Sequence, residues 1–169
     1  CRRRKEVLHE TIFAAASGKD KILKFTTADN GATFTPAVIT IANGMMGSVP
    51  NVALAPDGSL WVKSYARVLY HYSSSGALID SVLGAVVGTD GTDIKYFERL
   101  GKKYVAAYYP NDATPNTDER VSIIDVTTPA NAIIAFASPS IGAVANLNGT
   151  GAVDILPLAN NNFLVFIMG

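Results

Sequence analysis

The sequence predicts an all-β fold built from antiparallel four-stranded meanders, and three observations carry that prediction. Short runs of strand composition alternate with Gly, Pro, Asn, Asp and Ser turns along nearly the whole chain. No segment repeats its apolar residues at the helical period of about 3.6. The first strands of three successive units open at Asn51, Asp93 and Asp154, spaced by 42 and 61 residues, and the first spacing lies within the roughly 40–45 residues of one propeller blade. The expected architecture is therefore a partial β-propeller. A β-sandwich is the alternative, because alternation and turn spacing are common to both.

Residues 1–9 form a basic segment with Arg2, Arg3, Arg4 and Lys5, and 10–169 is read as one all-β domain. Its first unit, about 10–42, offers strands at 10–16, 21–26 and 35–41, with a turn at Asp29-Asn30-Gly31. It reads as a blade that lacks its first strand. The second unit, about 51–83, has strands at 51–55, 60–65, 67–72 and 77–82, joined by Pro56-Asp57-Gly58-Ser59 and by Ser73-Ser74-Ser75-Gly76. Gly58 is expected to take a positive φ in the first of these turns. The third unit, about 92–137, has strands at 93–98, 103–109, 119–126 and 132–137, with an exposed polar loop at 110–118. The fourth, about 151–169, has only 151–156 and 163–168. The apolar run 163–168 is expected to leave an open strand edge, filled by the remaining blades of a longer protein or by self-association.

The wording of the second unit also resembles a known type. A strand ending in Pro56-Asp57-Gly58, a strand beginning Leu60-Trp61-Val62, a tyrosine-rich strand and a Ser-Gly turn resemble a blade of bacterial propellers of the NHL, gluconolactonase-like and YVTN groups. The resemblance covers about residues 49–83. It implies a bacterial, exported or envelope protein. The gluconolactonase-like group holds a divalent metal with an Asn and carboxylates on inner strands, so the resemblance implies Asn51, Asp93 and Asp154 as metal ligands, with a lactonase-type hydrolase as the corresponding function. An all-oxygen set suits calcium or magnesium. Val52 departs from the Gly that usually follows this Asn, and Asn or Asp at a strand start is also an ordinary turn or capping residue.

Composition narrows the partners. Lys+Arg and Asp+Glu are balanced at 14 each, which gives no pull toward nucleic acid. No stretch reaches the roughly 18 apolar residues of a membrane helix. Cys1 is the one cysteine, so neither a disulfide framework nor a cysteine-based zinc site is available. His9 and His71 are the two histidines; His71 beside Ser73, Ser74 and Ser75 describes a strand end at a polar turn, and no catalytic residue is assigned. Trp61 and Tyr65 are candidate contacts for a carbohydrate, while the other aromatic residues read as core. The function expected is a non-catalytic binding module with a protein or carbohydrate ligand and no cofactor. The metal-dependent hydrolase is the alternative.

Overall fold

A computed structural model describes residues 10–15, 21–29, 31–40, 51–63, 68–83, 93–109, 120–138, 152–158 and 162–168. The basic segment, His9, Tyr65, the 84–92 connection and the 110–118 loop lie outside the described residues. What is described forms thirteen strands and one 3₁₀ turn, Pro129–Asn131. The first sheet contains β1 (Glu10–Ala15), β2 (Lys21–Thr27) and β3 (Thr35–Thr40). The second contains β4 (Asn51–Leu54), β5 (Leu60–Lys63), β6 (Val68–Tyr72) and β7 (Leu78–Leu83). The third contains β8 (Asp93–Arg99), β9 (Lys102–Tyr109), β10 (Arg120–Asp125) and β11 (Ile133–Ala137). The fourth is the pair β12 (Ala152–Pro157) and β13 (Phe163–Met168). Every pairing is antiparallel between sequence neighbours.

Turn chemistry explains why these are meanders. At 55–59 and at 73–77 the chain makes the same turn: Gly58 N donates to Ala55 O and Gly76 N to Ser73 O, each at 2.9 Å, and both glycines have positive φ, 83° and 89°. Pro56 sets the first φ of its turn, and glycine closes it where a Cβ would be strained. The β8–β9 hairpin is tighter. Leu100 and Gly101 both sit at positive φ, 50° and 75°, as a two-residue primed turn requires. Leu100 is a non-glycine residue in the left-handed region, and its side chain is 80% exposed.

The sheets stack face against face. Ile22 and Ile39 of the first sheet pack on Leu60, Val62 and Tyr72 of the second. The opposite face of the second, with Ala53, Trp61, Leu69 and Val82, packs on Ile94, Val105, Ala107 and Ile124 of the third. The far face of the third, with Tyr108 and Val121, meets Val153 of the fourth. Successive side chains alternate between faces, so a strand with a sheet packed on each side is enclosed at every position. That is why β5 is buried throughout, Lys63 included. The sandwich alternative, with two sheets enclosing one core, is not the arrangement found.

The first strands of the sheets run side by side: β1 against β4, β4 against β8, and β8 against β12. This row is the inner wall of a partial propeller, and it corrects one expectation. The first unit retains its inner strand, β1. Composition alone could not show this, because three strands of a blade look alike whichever one is missing.

Gly76 also separates two sheets: a Cβ there would collide with Ile39 Cγ2 of β3. Gly76→Ala is expected to lower stability by about 1–3 kcal/mol through backbone strain and overpacking together, read as a lower urea midpoint. Gly58→Ala, whose added Cβ meets nothing closer than 3.9 Å, should cost less.

Candidate functional site

The inner strand ends hold the residues expected to bind a metal. Asn51 opens β4, half-buried, opposite Lys63 on β5. Asp93 opens β8, also half-buried. One of its oxygens accepts the Ile94 N–H at 2.9 Å, and the other accepts the Val153 N–H of β12 at 2.9 Å. Asp154 is exposed, and its Oδ1 accepts the Ile155 N–H at 2.9 Å. Among the described residues no group of three or more His, Cys, Asp or Glu side chains is arranged to hold a metal ion. What the geometry displays at Asp93 is a carboxylate that accepts from its own strand at Ile94 and ties it to the next blade at Val153.

A second polar constellation lies between the second and third sheets, and here the chain does bring chemistry together. Ser59 precedes β5, and Trp61 follows it on the same face. His71 of β6 stands opposite Trp61, and Asp80 of β7 stands opposite His71. This register produces the chain Ser59 Oγ, His71 and Asp80, with 2.9 Å from Nε2 to Ser59 and 3.1 Å from Nδ1 to Asp80. The residue types are those of a serine nucleophile, its base and the carboxylate that orients the base. Cross-strand register decides the partners of His71, while Ser73 bonds to Ser75 and to the Ala77 N–H within its own turn.

The Ser59 hydroxyl has a second partner. Ser59 Oγ donates to Asp57 Oδ1 at 2.6 Å. His71 Nε2 contacts the same hydroxyl at 2.9 Å, with the donor set by the imidazole tautomer. Ser59 is buried at 6% exposure. The Ser59 hydroxyl, helped by the Ser59 backbone N–H, holds the Asp57 carboxyl below the usual carboxylate range. The His71 ring lies on Trp61, with centroids 4.3 Å apart and planes 3° from parallel. Beyond Trp61 comes Tyr96 of the third sheet, nearly parallel at 6.4 Å. Burial pushes the Tyr96 phenol up, and its hydrogen bond to Glu98, 2.6 Å long, pushes it further.

Trp61 is therefore a correction. It was a candidate carbohydrate contact, yet at 1% exposure it is fully enclosed. It belongs to β5, which is buried at every position, so no face of the ring is offered to a ligand. Tyr65, its proposed companion, lies outside the described residues.

Two further carboxylates fix turns. The Thr27 hydroxyl, with the Thr33 hydroxyl and N–H, holds the Asp29 carboxyl down to about 2 from its ordinary 3.8. A lowered folded-state value means that ionised Asp29 supports the 27–33 turn above about pH 3.8. That support is lost as the pH falls toward about 2. The Thr33 amide resonance should shift through this window, and Asp29→Asn should abolish the pH dependence. A titration centred at the ordinary carboxylate value would count against the turn geometry. At Asp125 burial raises the carboxyl, but Thr127 and Lys102, the latter 2.9 Å away, outweigh it and leave it lowered.

No protein-family profile matches the chain, and no curated protein matches it by sequence. In three dimensions it is similar to the NanB sialidase from Streptococcus pneumoniae in complex with 2-[(3-chlorobenzyl)ammonio]ethanesulfonate, with TM-score 0.54 and 14% identity over 93% of this chain and 25% of that one. It is similar also to NanB with Optactamide, with TM-score 0.53 and 14% identity over 92% of this chain and 25% of that one. The chain spans about a quarter of the length of these proteins. At such identity the likeness is one of fold, and the fold is that of an all-β, partial β-propeller assembled from antiparallel blades.

Proposed function

We propose that this chain is a non-catalytic interaction module of a bacterial exported or envelope propeller protein, with a protein or carbohydrate ligand. The observation that carries the reading is where its side chains are spent. In the one Ser-His-Asp chain among the described residues, Ser59 is buried and its hydroxyl donates a hydrogen bond to Asp57. Apolar side chains, in contrast, are displayed on the outer strands: Leu78, Ile79 and Leu83 on β7, and Ile133, Ile134 and Phe136 on β11, each at least 45% exposed. Exposed apolar side chains on an outer strand suit contact with a partner. Among the described residues no helix is long and apolar enough to cross a membrane, a statement that does not bear on β-barrels.

The test is hydrolysis of esters, lactones and sialosides by the purified chain, with and without calcium, beside Ser59→Ala. The variant should lose about 1–2 kcal/mol of stability, because Asp57 and His71 each lose a buried partner. Turnover should stay at the buffer rate in both proteins. Turnover by the wild type that Ser59→Ala abolishes, or that calcium switches on, would replace the interaction reading with a hydrolase.

A further inference from the structure

Each neutral form of an imidazole carries one N–H, and the surroundings of His71 call for two. Asp80 Oδ1 stands 3.1 Å from Nδ1, and an ionised carboxylate only accepts. Ser59 Oγ stands 2.9 Å from Nε2, and its single proton has a shorter bond to make, 2.6 Å to Asp57 Oδ1. If the ring proton is on Nδ1, the bare Nε2 and Asp57 compete for the Ser59 proton. If it is on Nε2, a bare nitrogen faces the Asp80 carboxylate. The imidazolium, with a donor on each nitrogen, satisfies all three contacts together.

A bulge in β7 brings the carboxylate to this place. Tyr72 stands opposite Leu78 and His71 opposite Asp80, so Ile79 is the extra residue. Without the bulge the ladder would run on from Leu78 and set Ile79 against His71. Bulges re-aim side chains in this way. The ring also lies on the face of Trp61, a surface that attracts a cation. Among the described residues the charges that the other packed elements bring are Asp57 from the β4–β5 turn, Asp80 from β7, Glu98 from β8 and Lys103 from β9. Glu98 is bonded to Tyr96 beyond Trp61, and Lys103 acts on Asp57. Three carboxylates thus stand against one lysine. We propose that His71 is a proton-operated clamp within the second sheet. Charged, it ties the 55–59 turn to β6 and β7 through Ser59 and Asp80; neutral, it either draws the Ser59 hydroxyl away from Asp57 or gives up one tie. The change is one proton gained from or lost to solvent at the ring, which keeps 13% of its side chain exposed.

This inference goes beyond the interaction reading and does not depend on it. The chain carries its own reporter, since Trp61 is the one tryptophan and an imidazolium lying on an indole quenches its fluorescence. Acidifying the full chain from about pH 8 to about pH 5, the range in which an imidazole changes charge, should lower the Trp61 emission, and His71→Gln should remove that loss. The Gly58 and Ser59 amide resonances should move with the same midpoint as the fluorescence. Asp57 does not account for their movement, because its carboxyl is held below the usual carboxylate range and stays ionised. In Ser59→Ala the fluorescence loss should remain while the Gly58 amide stops following it. Far-ultraviolet circular dichroism, unchanged over the range, separates these readings from unfolding. A flat wild-type profile, or a loss that persists in His71→Gln, would overturn the proposal. So would a Gly58 amide that ignores the fluorescence midpoint in the wild type or still follows it in Ser59→Ala. The wild-type comparison decides by itself where a variant fails to fold.

Discussion

Trp61→Ala is expected to bring the protein close to unfolding. The side chain is 1% exposed, lies in the cluster joining the second and third sheets, and stacks on His71 and near Tyr96. Truncating such a residue costs about 3–5 kcal/mol, against a total stability of about 5–15 kcal/mol for a domain. The loss is unlike that of a ligand contact, because the vacated volume lies between two sheets and removes the surface on which His71 is held. Trp61→Phe, which keeps most of the apolar area, should cost about half as much. Urea denaturation followed by far-ultraviolet circular dichroism measures both, since Trp61 is the one tryptophan and its fluorescence is lost with it. A cost below about 1 kcal/mol for Trp61→Ala would mean that the ring is not in the core and would reopen it as a ligand contact.

Asp93→Ala should show the next largest effect, a loss of about 1–3 kcal/mol from leaving the half-buried Val153 and Ile94 amides without their acceptor. Because the bond to Val153 joins β8 to β12, the loss should be local. Hydrogen exchange at 152–158 should accelerate more than exchange in β5 or β9. Asp93→Asn keeps one side-chain oxygen and should fall between the two. The same variants decide between a blade tie and a metal ligand. A cation bound at Asn51, Asp93 and Asp154 would raise the wild-type melting temperature as its concentration rises and would fail to do so in Asp93→Ala. Local loosening with no calcium dependence in either protein is the outcome expected here.

Much of the fold could be read from turns. Pro56-Asp57-Gly58 and Ser73-Ser74-Ser75-Gly76 announced the hairpins of the second sheet, and Gly58 takes the positive φ that its place in the sequence required. The run at 163–168 is a strand with the bounds expected of it. These features were legible because they are local: a glycine after Pro-Asp, or an apolar run between two breakers, is settled by the backbone preferences of a few residues. Strand ends moved by one or two positions, as at β7 and β12, where pairing with a neighbour overrides composition.

The site was less legible. Ser59, His71 and Asp80 are 12 and 9 residues apart in sequence, and neither spacing is a motif. The hairpin lengths place Trp61 opposite His71 and His71 opposite Asp80, and a one-residue change of register would send all of them to the other face. Lys63 gave no sign of its burial either, since a lysine at a strand end ordinarily reaches solvent.

By itself, then, the sequence determined that the chain is all-β, that it folds as hairpins in chain order, and where most strands begin and end. Only the tertiary structure decided that Trp61 is core, that Asp93 ties two blades, that β1 stands on the inner wall, and that Ser59 is the serine within hydrogen-bond reach of His71. The physical reason is range. Turns and alternation are set by neighbours along the chain, whereas face, burial and cross-strand partners are set by which strand and which sheet lie against which, and no run of adjacent residues contains that information.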